Sequence, residues 1–325
     1  MKTTDELAAC IEEGIVHLPL EVKPVGLYKP IRYTLTEGGK RLRPLLMLMA
    51  YNLYKEDTEQ ILPQAMAIEM YHNFTLLHDD VMDRADMRRG KPTVHKVWNE
   101  NTAILSGDTM LLMACQLMQQ HTDLHLRVQV MDLFIKTALE IDEGQQYDVD
   151  FETRNDVSEE EYIEMIRLKT SVLLACALKI GAILGGATSE DANALYAFGE
   201  KTGLAFQLQD DYLDVYGDPK VFGKKIGGDI LCNKKTYMLI NALRMADNKA
   251  KKELEGWLTS TDFVPEEKIR AVTQIYTRTG VKELCQQRME EYHREALTYL
   301  DKVQLEESVK VPLRTYVTKL MNRNK

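Results

Sequence analysis

Cysteine is scarce in this chain and follows no pattern. Cys10, Cys115, Cys176, Cys232 and Cys285 form no CxxC pair and no Cys/His ligand spacing. That excludes a disulfide framework and a structural zinc site, and predicts reduced thiols acting as small core filler in a cytoplasmic protein. An excess of positive charge is also missing, with 41 Lys and Arg against 50 Asp and Glu and a net charge of −9. Nucleic acid is therefore not expected as a partner, and a polyanionic substrate would need local cations or metal to hold it. No apolar run is long and clean enough for a bilayer. The stretch from Ser171 to Ala187 comes nearest, but it is short and Lys179 interrupts it, so it predicts a buried helix and no transmembrane segment. The opening MKTTDELAACIEEG is acidic and has no apolar core, so no signal peptide is expected. Short repeats, low-complexity tracts and linkers are absent, and residues 1–325 read as one domain.

Alternating strand patterns are missing too, while apolar residues recur at three- and four-residue steps almost everywhere. The chain therefore reads as all-α, a single helical bundle. Pro44 opens a helix through LLMLMAYNLY. Further helices are expected from Leu62 to about Arg84, Thr102 to Gln120, Leu126 to about Tyr147, and near Thr188 to Tyr216. Ser158 and Glu161 form a capping box for the helix that carries Leu168-Lys169-Thr170. Beyond Lys234 the chain is helical with breaks near Pro265 and Gly280.

Two acidic clusters stand out against this background. In HDDVMDRADMRRGKPTVH, Asp79, Asp83 and Asp86 share one face if the helix persists that far, with Asp80 beside them. Carboxylates at such spacing repel, and they sit at the end of the helix where its dipole disfavours anions. The arrangement is unfavourable unless a cation occupies it. Magnesium suits it as a hard ion that takes one or two carboxylates, keeps several waters and accepts phosphate oxygens. Arg88 and Arg89 follow, with planar guanidinium forks suited to phosphate. GLAFQLQDDYLDVYGD repeats the device with Gln207, Asp210, Asp211 and Asp214, ahead of a basic, glycine-rich stretch that includes Lys220, Lys224, Lys225, Lys234 and Lys235. Such a stretch suits a lid over phosphates, although Lys220 and Lys225 singly read as ordinary charged connection.

The loop Glu37-Gly38-Gly39-Lys40-Arg41-Leu42-Arg43-Pro44 gathers cations at a helix N-terminus, the wrong sign for the dipole unless an anion is bound there. Pro44 biases Arg43 toward an extended conformation. Arg41 reads as an ordinary surface-loop residue. His72, seven residues before Asp79, fits either a satisfied core histidine or a site residue.

From about Tyr28 to Tyr237 these motifs, in this order, resemble the trans-isoprenyl diphosphate synthases: the farnesyl, geranylgeranyl and longer-chain polyprenyl diphosphate synthases. The segments that carry the likeness are GGKRLRP, HDDVMDRADMRRGKPTVH, LKT, FQLQDDYLDVYGDP and GKKIGGDI. The resemblance implies an isoprenoid synthase fold, a barrel of helices around a deep central cavity, as a homodimer. It implies 1'-4 head-to-tail condensation of an allylic diphosphate (dimethylallyl, geranyl or farnesyl) with isopentenyl diphosphate, with release of diphosphate. Three magnesium ions are implied in each active site, held by Asp79 and Asp83 on one side and Asp210 on the other, with Asp80, Asp211 and Asp214 in support. Arg88, Lys169, Thr170, Gln207, Lys224 and Lys234 would contact the allylic diphosphate. Lys40, Arg43, His72 and Arg89 would hold isopentenyl diphosphate.

One helical turn rises about 5.4 Å, comparable with an isoprene unit, so a bulky side chain a turn or so before Asp79 would act as a floor for the growing product. Phe74, with the smaller Thr75 beside it, is the candidate, against the plain alternative that Phe74 is core. The expected product is C15 to C20, with C20 favoured by the small Thr75. Two competing readings are a terpene cyclase and an inactive regulatory subunit. The GGKRLRP loop and Arg89 argue against the first, and the intact aspartates argue against the second.

Overall fold

Helix starts and stops in this protein follow from local side-chain chemistry. Thr3 and Glu6 form a reciprocal capping box ahead of α1 (Thr4–Val16). After α2 (Val25–Thr36), α3 (Leu42–Asn52) opens from Arg41, whose backbone lies in the left-handed region at φ 47°. In α4 (Leu62–Met82) Pro63 occupies the first turn, where a missing N–H costs nothing. A short helix, α5 (Val94–Val97), precedes α6 (Glu100–Met118), which Asn99 caps through the Thr102 N–H. The long α7 (Leu124–Thr153) follows. Ser158 and Glu161 form the expected capping box for α8 (Glu159–Ile166), and a π-helical turn, Arg167–Ser171, joins it to α9 (Val172–Gly185). Gly186, at φ 91°, ends α9. Its N–H reaches the Ile183 carbonyl while that of Ala187 reaches Ala182, so the last carbonyls are satisfied. α10 (Ser189–Tyr216) carries the second aspartate cluster.

The computed structural model describes residues 2–218 and 226–321. Within them the protein is all-α as expected, apart from an antiparallel hairpin of two-residue strands, Met87–Arg88 with Lys91–Pro92. Further helices run Gly228–Leu231, Tyr237–Met245, Asn248–Thr259, Pro265–Arg278, Val281–Asp301 and Glu307–Met321. The breaks expected at Pro265 and Gly280 fall at helix starts.

The chain divides into two compact units. One comprises the described residues of 1–136, 176–196 and 304–313, and the other those of 137–175, 197–303 and 314–325. In the first, α4 packs most extensively on α6. Gly107 makes this possible, because a Cβ there would lie 2.2 Å from His78 Nε2. Ile11, Leu46, Met47, Ile68, Met70 and Met110 are fully buried in its core. The second unit has a core of its own, including Tyr162, Leu208, Met238, Leu254, Ile275 and Cys285.

The apolar run at 171–187 is a buried helix, as expected. The only segment among the described residues with the length and hydropathy to cross a membrane, Glu159–Gly185, has 83% of its apolar window buried within the chain. Cys176 and Cys285 are buried filler, whereas Cys232 is exposed, contrary to expectation. Its position just past the carboxyl end of a four-residue helix leaves nothing to cover it.

Gly144 of α7 lets that helix press onto the π-helical turn. A Cβ there would lie 2.3 Å from the Lys169 backbone nitrogen and 2.8 Å from the Leu168 carbonyl carbon. Gly144→Ala should therefore lower unfolding stability by about 1–3 kcal/mol, despite alanine's better helix propensity. A urea midpoint at or above the wild-type value would contradict this packing.

Candidate active site

In the first unit, α4 delivers the first aspartate cluster. Its last turn closes with the Asp83 N–H on the Asp79 carbonyl at 2.8 Å, and Arg84 then takes φ 52°, which ends the helix. Asp79 and Asp83 thus occupy successive turns. The possibility that Asp86 extends this face is ruled out, since the helix stops before it and its exposed carboxylate pairs with Lys96 at 2.8 Å. Asp80 is buried and accepts a hydrogen bond from Arg88 Nε at 2.8 Å, while Arg88 Nη2 lies 3.6 Å from Asp79 Oδ2. Burial raises the Asp80 pKa and Asp79 adds to the rise, with the Arg88 charge opposing it. The hairpin turn holds Arg88 over the cluster and places Arg89 beside it, Gly90 supplying φ 77°.

Arg89 reaches the glycine-rich loop, where its guanidinium donates to the Gly38 carbonyl. Gly39, at φ 137°, passes so close that a Cβ would sit 3.0 Å from Arg89 Cζ. The glycine pair is thus needed both for its backbone angles and for this approach. Arg43 Nη1 donates to His72 Nε2 at 3.1 Å. Burial lowers the His72 pKa well below its ordinary value, and the charges of Arg43, Arg89, Arg88 and Arg41 lower it further. His72 is therefore neutral, with Nε2 as acceptor. Lys40 is exposed on the same loop.

Arg41 does not behave as a surface-loop residue. It is 6% exposed and donates to Glu69 at 2.8 Å, Glu12 at 2.9 Å and the Leu35 carbonyl at 2.6 Å. Its partners lie up to 29 residues away in sequence, so composition of the loop alone gave no sign of them. Phe74 is buried, with ring centroids 5.4 Å from Tyr71 and 4.8 Å from His78, and Tyr71 packs on Phe134. Thr75 Oγ1 donates to the His72 carbonyl at 2.8 Å.

The second unit carries a separate constellation. The π-helical turn presents Lys169 and Thr170 side by side, a wide turn of a kind common at functional sites. Lys169 Nζ lies 2.5 Å from Asp148 Oδ2, and Lys234 Nζ lies 3.5 Å from the same oxygen. Burial would raise the Asp148 pKa, but the two lysine charges outweigh it and hold the carboxyl below its ordinary value. Thr170 Oγ1 donates to Gln207 at 3.2 Å, and Gln207 Nε2 donates to Asp211 at 3.3 Å. Tyr162 donates its hydroxyl to Asp211 from the other side. Burial and the nearby Asp229 push the Asp211 pKa up to about 7, against the Tyr162 hydrogen bond and the Lys234 charge. Asp214 accepts the Asp229 N–H at 3.0 Å, capping the turn Gly228–Leu231 that leads to Lys234. Asp210, one turn before Asp214, is half-buried.

Asp148, Tyr162 and Asp229 hydrogen-bond to the predicted residues Lys169, Lys234, Asp211 and Asp214, and the motif reading did not single them out. Asp148 lay just past the expected end of its helix, and its lysine partners are 21 and 86 residues away. Lys224, with Lys220 and Lys225, lies outside the described residues.

Among the described residues no three His, Cys, Asp or Glu side chains gather into a group able to hold a metal ion by themselves. The half-buried Asp79 and the exposed Asp83 offer oxygen donors alone. Such a set fits a hard ion that keeps waters and takes its remaining ligands from phosphate, and does not fit a closed structural site.

The model of the polyprenyl synthetase family matches residues 24–276. The chain is 41% identical to a geranylgeranyl diphosphate synthase of Methanosarcina mazei, over 90% of each protein. It is 34% identical to a geranylfarnesyl diphosphate synthase of Aeropyrum pernix, over 87% of this chain and 90% of that one. A crystal structure of a geranylgeranyl pyrophosphate synthase superposes with a TM-score of 0.94 at 43% identity, over the whole of both chains. The fold is therefore that of the isoprenoid synthases.

Proposed function

The chain belongs to the polyprenyl synthetase family, and from that premise we propose that it is a short-chain trans-prenyltransferase. It condenses an allylic diphosphate with isopentenyl diphosphate, 1' to 4, to a C15–C20 product and releases diphosphate. The observation that carries this reading is that the first unit holds two distinct sets of arginines suited to phosphate, the second with the neutral His72 beside it. Arg88 lies on Asp79 and Asp80, while Arg89, Arg43 and His72 face the glycine-rich loop. An enzyme that ionised a single diphosphate would need one such set.

In this reading Lys169, Thr170, Gln207, Lys234 and Arg88 hold the allylic diphosphate, with Lys224 completing the set. Asp148 keeps the two lysine ammoniums together until the diphosphate takes its place as their counter-ion. Lys40, Arg43, His72 and Arg89 hold isopentenyl diphosphate, and the neutral His72 Nε2 keeps Arg43 aimed. Asp79, Asp83 and Asp210, supported by Asp80, Asp211 and Asp214, would hold magnesium, three ions in each site. Bound magnesium would neutralise charge developing on the leaving diphosphate. As the allylic C–O bond breaks, the cationic side chains stabilise that charge, and an apolar surround keeps water from the carbocation. The isopentenyl double bond then attacks, and the released diphosphate accepts the proton lost on elimination. No enzyme nucleophile is needed.

Residues 1–325 act in this proposal as one synthase domain, in the cytoplasm. Pairing into a homodimer would bury apolar side chains such as Ile104, Leu105 and Leu112, which α6 leaves exposed. Purified protein in magnesium buffer should consume allylic diphosphate only when isopentenyl diphosphate is also present, releasing one diphosphate per unit added. Allylic diphosphate consumed equally fast alone would contradict the proposal. Phe74 serves as the floor for the product, so Phe74→Ala should shift the main product at least one isoprene unit longer by mass spectrometry. An unchanged product spectrum would make Phe74 plain core.

A further inference from the structure

We propose that Arg41 is a positioning residue for isopentenyl diphosphate, locking the loop that bears Lys40 and Arg43 onto the helix that bears His72. The proposal rests on the functional reading above and concerns a residue that touches no substrate in it.

Arg41 joins three elements. Nη2 donates to the Leu35 carbonyl near the end of α2, Nε to Glu12 of α1, and Nη1 to Glu69 of α4. The Glu69 end is closed, because Glu69 is buried and its Oε1 also accepts from Asn73 Nδ2 at 2.9 Å. Asn73 is itself fully buried and donates to the Glu69 carbonyl at 2.8 Å. His72 lies between Glu69 and Asn73 in the sequence of α4. The same arginine holds its own backbone at φ 47°, ψ 34°, a conformation that a non-glycine residue keeps only when its surroundings impose it. That backbone turn separates Lys40 from Arg43 and starts α3, from which Arg43 meets His72 at 3.1 Å.

A buried ion pair is a poor device for stability alone, since desolvation offsets most of its attraction. It is a good device for direction. The guanidinium fork fixes several donors in one plane, and here they set the loop and α4 in one register. Loss of the fork should let the loop shift relative to His72, and small misplacements of binding groups carry large penalties.

Arg41→Met should raise the KM for isopentenyl diphosphate roughly ten- to hundredfold, while kcat and the allylic KM change by less than about threefold. Arg41→Lys, which keeps the charge but not the fork, should recover only part of the loss. Arg41→Met leaves Glu69 buried without its partner, so Arg41→Gln/Glu69→Gln serves as the companion variant with neither charge. Melting curves report folding, and calorimetric titration with isopentenyl diphosphate alone reports binding without turnover. The double variant, folded, should show the same selective loss of isopentenyl diphosphate affinity. A folded double variant with wild-type affinity, or one that loses allylic affinity equally, overturns the assignment. Wild-type protein that neither binds nor consumes isopentenyl diphosphate overturns the functional reading and the assignment with it.

Discussion

Asp79→Ala should lower kcat on the order of 10³-fold, the scale seen when a principal stabiliser of developing charge is removed, and leave the melting temperature nearly unchanged. The two halves of this expectation have separate causes. The carboxylate stands a turn from Asp83 at the carboxyl end of α4, where the helix dipole and its neighbours disfavour negative charge. Its removal relieves repulsion, and the 3.6 Å contact with Arg88 that goes with it is a long one. Function moves the other way, because in the proposed reaction Asp79 shares a cation with the diphosphate that Arg88 contacts. Single-turnover rates with saturating substrates and magnesium, beside a melting curve, check both halves. A loss below about tenfold would remove Asp79 from the metal set.

Lys169→Ala should reduce kcat/KM for the allylic substrate by about 10²-fold, with little change in the KM for isopentenyl diphosphate. Lys169 is mostly buried on a π-helical turn, with its ammonium 2.5 Å from Asp148. Substrate diphosphate would exchange one anionic partner for another without moving the lysine backbone. Lys169→Arg should rescue only part of the loss, because a planar guanidinium fork and a compact ammonium place their donors differently. The selectivity of the loss is the diagnostic: an equal loss for both substrates would mean that the variant damages the fold around Gly144 instead of the allylic site. Asp148→Asn offers a cross-check, since it should weaken the convergence of Lys169 and Lys234 and raise the allylic KM.

Much of this was legible in the residues. The periodicity of α4 and the position of its end gave the first aspartate cluster its helix terminus, and the Ser158–Glu161 box marked the start of α8. Glycine and proline punctuation marked breaks near Pro265 and Gly280, and helices start there. What failed to show depends on distant partners. Arg41 looked solvated because Glu69, which makes its burial tolerable, lies on another helix. Asp148 looked like the polar tail of a finished helix, yet α7 runs on to Thr153 because Phe151 is buried and stacks near Tyr147. The π-helical turn has no sequence signature of its own, so Lys169 and Thr170 were visible as a motif and not as a geometry. Asp86 shows the opposite limit, where correct spacing misled because the left-handed Arg84 ends the helix first.

The proposed function requires the aspartates of α4 and those of α10 to act on one diphosphate. A double-variant cycle on binding tests this most directly, using a non-ionising allylic thiodiphosphate in magnesium and the variants Asp79→Ala, Asp210→Ala and both together. Each single change should weaken binding at least about tenfold, and the double change should cost far less than the product of the two, because residues that serve one ligand jointly are coupled. Losses that multiply independently, or an Asp210→Ala protein that binds like wild type, would show that the clusters do not share a substrate.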